Sequence, residues 1–142
     1  MEGTLHMPKS TEFVIQLENR PGTFGKVGKA LGDKGVNIVA FESFSEAGNS
    51  GVRFVVDNAA DTKTVLDNQR VTYKENEVAQ VSLPNRPGEL GRAASQLGEG
   101  NINIEYAYCG IEPRTNSPLV VFGVKEISKA VPILDEVAKK AA

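Results

Sequence analysis

The stretch Glu18-Asn19-Arg20-Pro21-Gly22-Thr23-Phe24-Gly25 is written again, 66 residues later, as Pro84-Asn85-Arg86-Pro87-Gly88-Glu89-Leu90-Gly91. On that offset, residues 19–38 and 85–104 are identical at nine of twenty positions, among them Leu31/Leu97, Gly32/Gly98, Asn37/Asn103 and Ile38/Ile104. Each copy has a strand-like run before it, a helix-like run after it, and then a second strand that opens on Asn-Ile. Such self-similarity means two copies of one unit. The period is too long for a solenoid repeat and suits a small domain.

The first copy reads as follows. Phe13, Ile15 and Leu17 alternate with Glu12, Gln16 and Glu18, the pattern of a strand with one buried face. Pro21, lacking a backbone donor, suits the first turn of a helix, and Gly22 permits close backbone approach. Phe24, Val27, Ala30 and Leu31 recur at helical spacing until Gly35 stops the helix. Residues 36–44 and 52–56 form a hairpin across turn-forming residues 46–51. Asp61 is read as the N-cap of a short helix with Val65 and Leu66, and residues 70–74 as a last strand.

The second copy begins with a strand at 78–83, followed by a helix striped with Leu90, Ala93, Ala94 and Leu97. A strand over 102–109 pairs with 119–124, and Ser128 is read as the cap of a last helix carrying Ile133, Leu134 and Val137, with Pro132 near its start. No strand follows that helix. The sheet edge this leaves needs a cover, either the N-terminal tail or another subunit. The expected domains are 1–10 as a disordered region or tail, 11–75, and 76–142.

Units of this size bury modest cores. With 142 residues and a formal charge of −2, the chain offers no broad basic field for phosphate backbones, so nucleic-acid binding has no support. No apolar run approaches a membrane span, residues 1–10 lack a signal-peptide core, and Cys109 is the only cysteine, expected buried or partly buried. The expected location is the cytoplasm, away from any membrane.

Strand–helix–strand–strand–helix–strand, twice over, with Asn-Arg-Pro-Gly at the first strand-to-helix junction, Phe24-Gly25 or Leu90-Gly91 after it, and Asn-Ile opening the next strand, resembles the ACT domain family. The resemblance spans about residues 11–142. It is narrower still to small bacterial proteins made only of two ACT units, described as amino-acid-binding. It implies an α+β fold of two ferredoxin-like units, each an antiparallel sheet with two helices on one face. It also implies pairing of ACT units, a homodimer, and allosteric regulation of amino-acid metabolism by small ligands bound where the first loop of one unit meets another. The missing last strand of the second copy departs from the pattern.

The loop has its own reasons to hold an amino acid. A helix N-terminus offers unpaired N–H groups and the positive end of a dipole to a carboxylate. Asn19 and Asn85 can both donate and accept, and Arg20 and Arg86 can add charge-assisted bonds if they turn inward. The candidate ligand-binding residues are Asn19, Arg20, Pro21, Gly22, Thr23, Phe24 and Asn37, then Asn85, Arg86, Pro87, Gly88, Glu89, Leu90 and Asn103. Ordinary turn chemistry also explains Pro-Gly after a strand. Glu89, standing where the first copy has Thr23, is expected to oppose a carboxylate and attract an amine, giving two sites of unequal affinity or only one. Tyr106 and Tyr108 suit sheet packing better than a pocket.

The glycines and lysines of 22–29 match neither a phosphate loop nor a dinucleotide fingerprint. There is no metal-ligand cluster and no nucleophile–base set, and the lone His6 lies in the tail. The reading is therefore not an enzyme and no cofactor, with a free amino acid as ligand. The alternative is a regulatory subunit or adaptor of an amino-acid-metabolism enzyme, with little ligand binding of its own.

Overall fold

The computed structural model describes residues 8–140. Among the described residues the elements are β1 Lys9–Gln16, α1 Thr23–Asp33, β2 Ile38–Glu46, β3 Asn49–Val56, α2 Ala59–Asn68, β4 Tyr73–Ser82, α3 Glu89–Glu99, β5 Tyr106–Glu112, β6 Ser117–Gly123 and α4 Ile127–Lys140. This is an α+β chain that divides into two compact units, residues 11–76 and residues 77–140, with residues 8–10 joining the second.

In the first unit β1 pairs antiparallel with β3, setting Phe13 opposite Phe54 and Ile15 opposite Val52. β3 pairs antiparallel with β2, and on the other side of β1 the N–H of Gln16 donates to the carbonyl of Thr72 at 3.0 Å. The order is that of a ferredoxin-like sheet. Phe13, Ile15, Val52 and Phe54 meet Val27 and Leu31 of α1 and Val65 and Leu66 of α2 in one apolar core. The rings of Phe13 and Phe54 lie 5.8 Å apart. The β2–β3 connection is two residues, Ala47 and Gly48, both with positive φ, the turn that matches the twist of a hairpin.

Several expectations shift. The last strand of the first unit and the first strand of the second are one continuous β4, because Arg70, with φ 57°, belongs to the turn after α2 and the strand starts only at Tyr73. Asn58, not Asp61, caps α2: its Oδ1 accepts from the N–H of Asp61 at 3.0 Å. Pro21 does not open a helical turn but precedes Gly22, the N-cap of α1. The face of β1 opposite the core is not open either. Glu12 is 0% exposed, and its Oε1 accepts from Asn76 Nδ2 at 3.1 Å, as a buried carboxylate requires.

In the second unit β4 pairs with β6 and β6 with β5, all antiparallel. Ala79, Val81, Val120 and Phe122 pack on Ala93 and Leu97 of α3 and on Ala130, Leu134 and Val137 of α4. β5 starts four residues later than expected, at Tyr106, and residues 102–105 lead into it. α4 begins at Ile127, one residue before the expected cap Ser128, and carries Pro132 in its second turn.

The edge of β4 is covered by the N-terminal stretch. The N–H of Gln80 donates to the carbonyl of Pro8 at 2.9 Å, and Lys9 Nζ lies 3.5 Å from Glu77 Oε2. Lys9 and Ser10 thus belong to β1 rather than to a disordered tail. Residues 1–7, including His6, lie outside the described residues. No described helix is long and apolar enough to cross a membrane.

Candidate functional site

Each copy of the repeated loop turns its chain from strand to helix through one glycine. Gly22 has φ 89° and ψ −11°, and Gly88 has φ 89° and ψ −12°, both left-handed, and both serve as the N-cap of the helix that follows. An L side chain in that conformation is strained, which is why glycine stands there twice. Neither helix has a side-chain cap. The first intrahelical bonds run from Lys26 N–H to Gly22 O and from Arg92 N–H to Gly88 O, at 3.0 and 2.9 Å. The N–H groups of the first turn ahead of them have no intrahelical partner.

Both helix starts open onto clefts. In the first unit the cleft is about 340 Å³. Asn19, Arg20, Gly22, Thr23 and Phe24 of the loop line it, and Ser43, Ser45, Ser50, Gly51 and Val52 of β2 and β3 form its wall. Asn19 Nδ2 donates to Ser45 Oγ at 3.3 Å. Thr23 Oγ1 donates to the carbonyls of Glu18 and Arg20, at 2.8 and 3.2 Å, fastening the loop to the helix start. Arg20 Nε donates to Glu18 Oε2 at 2.8 Å, so its charge is matched on the exposed surface.

In the second unit the cleft is about 290 Å³. Asn85, Arg86, Glu89 and Leu90 line it from the loop side, while Ala107, Tyr108, Cys109, Pro118 and Val120 form the wall. The carboxylate of Glu89 is only 8% exposed and is held from two sides, by Arg86 Nε at 2.7 Å and by Arg92 Nε and Nη2 at 3.0 and 2.8 Å. Hydrogen bonds from Arg86, then Arg92, hold its carboxyl below the usual glutamate range. Arg92 also reaches the carbonyl of Val137 at 3.2 Å.

That trio corrects one expectation. Glu89 does not stand as a free negative charge at the second loop. With two arginines on one carboxylate, the cluster has a net positive charge beside the helix start. In the first unit Arg20 is paired with Glu18 and Lys26 stands where the second unit has Arg92, so the two helix starts carry the same formal charge and differ in how the carboxylate is held.

The structure therefore brings Asn19, Arg20, Gly22, Thr23 and Phe24 together at one cleft and Asn85, Arg86, Glu89 and Leu90 at the other. Pro21 and Pro87 are exposed in the loops and line neither cleft, and Gly88 shapes the second by its backbone angle. Asn37 and Asn103 line neither cleft. An 11-residue helix, about 16 Å long, separates the repeated loop from the strand that Asn37 opens. There, its N–H donates to Asp57 Oδ1 at 2.9 Å.

The strand walls were not singled out from the sequence. Ser43, Ser45 and Ser50 reach the first cleft through strand pairing, Ser43 opposite Val52 and Ser45 opposite Ser50. Tyr108 lines the second cleft, whereas Tyr106 lies flat over Gly123, where a Cβ would come within 2.2 Å of the ring. Cys109 is exposed rather than buried. A signal for these residues existed in the hairpin pattern, but only the register aims them.

Comparison with known proteins agrees on the fold. No curated protein matches the sequence. A crystal structure of a Bacteroides thetaiotaomicron protein is similar at a TM-score of 0.79 and 25% identity, covering 96% of this chain and 91% of that one. The ligand-free regulatory subunit of aspartate kinase from Thermus thermophilus is similar at a TM-score of 0.60 and 14% identity, over 92% of each chain. Aspartate kinase of Clostridium acetobutylicum, an allosteric enzyme, is similar at 0.57 and 15%, covering 94% of this chain and 33% of that one. In sequence, residues 11–70 match the family model of the ACT domain, the family that the repeated loop resembles.

Proposed function

We propose that this chain is a regulatory rather than catalytic protein of the cytoplasm that binds a free amino acid at the repeated loops. The observation that carries the reading is the pair of clefts, each opened by a left-handed glycine at an uncapped helix start. The α-carboxylate is held by the N–H groups of the first helical turn, where the dipole favours it, and the loop asparagine meets the rest of the zwitterion. The ACT match over residues 11–70 and the fold shared with regulatory parts of aspartate kinases support it.

For regulation, the ligand must bind one arrangement of the protein better than another. In this proposal the open side of a cleft is closed by an ACT unit of a second copy, so that binding and homodimer packing are linked. A second reading has its own support in Phe41 and Leu90, 50% and 56% exposed. They flank the loops as apolar surface of the kind an enzyme partner covers, which fits a regulatory subunit of an amino-acid-metabolism enzyme.

The test is a thermal-shift scan against the twenty amino acids at millimolar concentration, with Gly22→Ala and Gly88→Ala as controls. A ligand bound only to the native state raises the melting temperature. A rise with one or a few amino acids, lost in one glycine variant that still folds, supports the binding reading. No rise with any of them overturns it in favour of the regulatory subunit, which then has to co-purify with its enzyme.

A further inference from the structure

The two clefts share a backbone and differ in the chemistry of their walls. From that difference we infer that they select different ligands: the cleft of the first unit an amino acid with a small polar side chain, the cleft of the second an amino acid with an apolar side chain. The inference rests on the reading that the clefts bind amino acids, and it adds which class each one takes.

The units can be compared position by position from their hydrogen bonds. Leu17 N–H donates to Ser50 O, and Leu83 N–H donates to Pro118 O, both at 2.9 Å, so Ser50 and Pro118 are counterparts. Ser43 pairs with Val52 and Ser45 with Ser50, while Cys109 pairs with Val120 and Ile111 with Pro118. Ser43 therefore corresponds to Cys109, and Ser45 to Ile111. The loop offset adds Glu18 against Pro84. At all four places, of which Ile111 lies just outside the second cleft's lining, a hydroxyl or carboxylate in the first unit is replaced in the second by a side chain that bonds weakly or not at all. The one change the other way, Thr23 to Glu89, adds a carboxylate that Arg86 and Arg92 already hold.

What the clefts keep in common suits what all amino acids have in common. The left-handed glycine, the uncapped helix start and the asparagine are the same in both. The walls then decide the side chain. A polar ligand group desolvated against Pro118, Cys109 and Val120 loses its water partners without replacement. Ser50 Oγ already donates to the carbonyl of Leu17, but an apolar ligand group against Ser43 and Ser45 leaves the Ser43 hydroxyl and the Ser45 proton without a partner, and sites built to hydrogen-bond reject ligands that cannot answer.

One further difference points the same way. Asn19 is engaged by Ser45, whereas Asn85, whose counterpart partner is Ile111, makes no hydrogen bond among the described residues. An apolar amino acid in the second cleft thus meets an open amide, with no polar contact needed from the wall.

The experiment is an amide-resolved NMR titration of the full chain with serine, asparagine, valine and leucine in turn. Serine or asparagine is expected to move the amides of Ser43, Ser45 and Ser50, and valine or leucine those of Ala107, Cys109 and Val120. Each class is expected to bind its own cleft at least about tenfold more tightly than the other class does. The double variant Cys109→Ser, Pro118→Ser should carry the second cleft's preference about tenfold toward the polar class. Equal response of both clefts to one amino acid, exchanged preferences, or an unchanged preference in the double variant would each overturn the inference while leaving amino-acid binding standing. If no amino acid moves either set, the underlying reading of the clefts falls, and the inference with it.

Discussion

The backbone N–H of Gln80 donates to the carbonyl of Pro8 at 2.9 Å, so a residue ahead of the first unit lies on the sheet edge of the second. Among the described residues no strand follows α4, whereas the first copy continues from α2 into β4. Pro8 and Lys9 lie at the edge of β4.

Removing residues 1–10 therefore uncovers backbone groups of β4. Hydrogen exchange across residues 78–82 should speed up, and the transition of residues 77–140 in urea should fall by about 1–3 kcal/mol, the cost of backbone partners left unmade. Protection equal to that of the intact chain would show that the contact with Pro8 contributes nothing.

Gly22→Ala and Gly88→Ala should each cost roughly 1–2 kcal/mol, because the left-handed region disfavours a Cβ. A Cβ at either position meets nothing within 4 Å, so the cost is conformational and not steric. Asparagine, which tolerates that region better, should cost less than alanine at both positions in denaturant titration. An equal cost for the two would point to the space around the glycine instead.

Gly51 and Gly123 are intolerant for a different reason. A Cβ on Gly51 would stand 1.9 Å from the carbonyl oxygen of Ile15, a backbone atom that cannot swing away, whereas on Gly123 it would meet the Tyr106 ring at 2.2 Å. Gly51→Ala should cost about 3 kcal/mol or more, and Gly123→Ala less. Tyr106→Ala should rescue Gly123→Ala in a double-mutant cycle, with a coupling of about 1 kcal/mol or more. Additive losses would contradict the stacking of Tyr106 on Gly123.

Two carboxylates should bend the pH dependence of stability in opposite senses. Glu89 is held below its ordinary value of 4.5 by hydrogen bonds from Arg86 and Arg92. Its contribution is present above 4.5 and is lost as pH falls through its lower folded value. Glu42 is pushed above 4.5, first by burial, against the pull of Arg53, with Glu12 adding to the rise. Its ionisation weakens the fold as pH climbs from 4.5 through the raised value. Denaturation across acidic pH should show Glu89→Gln abolishing the first slope and Glu42→Gln the second. Parallel curves for the variants and the parent chain would refute both assignments.

The parts of this architecture that were legible in the sequence are local ones. Asn-Arg-Pro-Gly, read twice, located both helix starts, since a turn residue acts on its own neighbours. Phe13, Ile15, Val27 and Leu31 announced the first core through their periods of two and of three to four. What stayed hidden depends on partners far along the chain. Glu12 looked like a solvent-facing residue until Asn76 was found bonded to it, and Ser43, Ser45 and Ser50 became a cleft wall only through the register of β2 with β3. Asn37 and Asn103, read as opening the strand after the helix, line neither cleft, because the length of the helix lies between them and the repeated loops.

The stacked pair Tyr106 and Tyr108, ring centroids 6.4 Å apart and nearly parallel, has a practical consequence. The chain has three tyrosines and no tryptophan, so its near-ultraviolet emission comes chiefly from these phenols. Two of them sit in the second unit, and Tyr108 borders its cleft. The protein has an optical reporter of its own, weighted toward one half of a duplicated chain. A change of environment at the second cleft would register in tyrosine fluorescence with no dye attached, whereas no tyrosine lines the first.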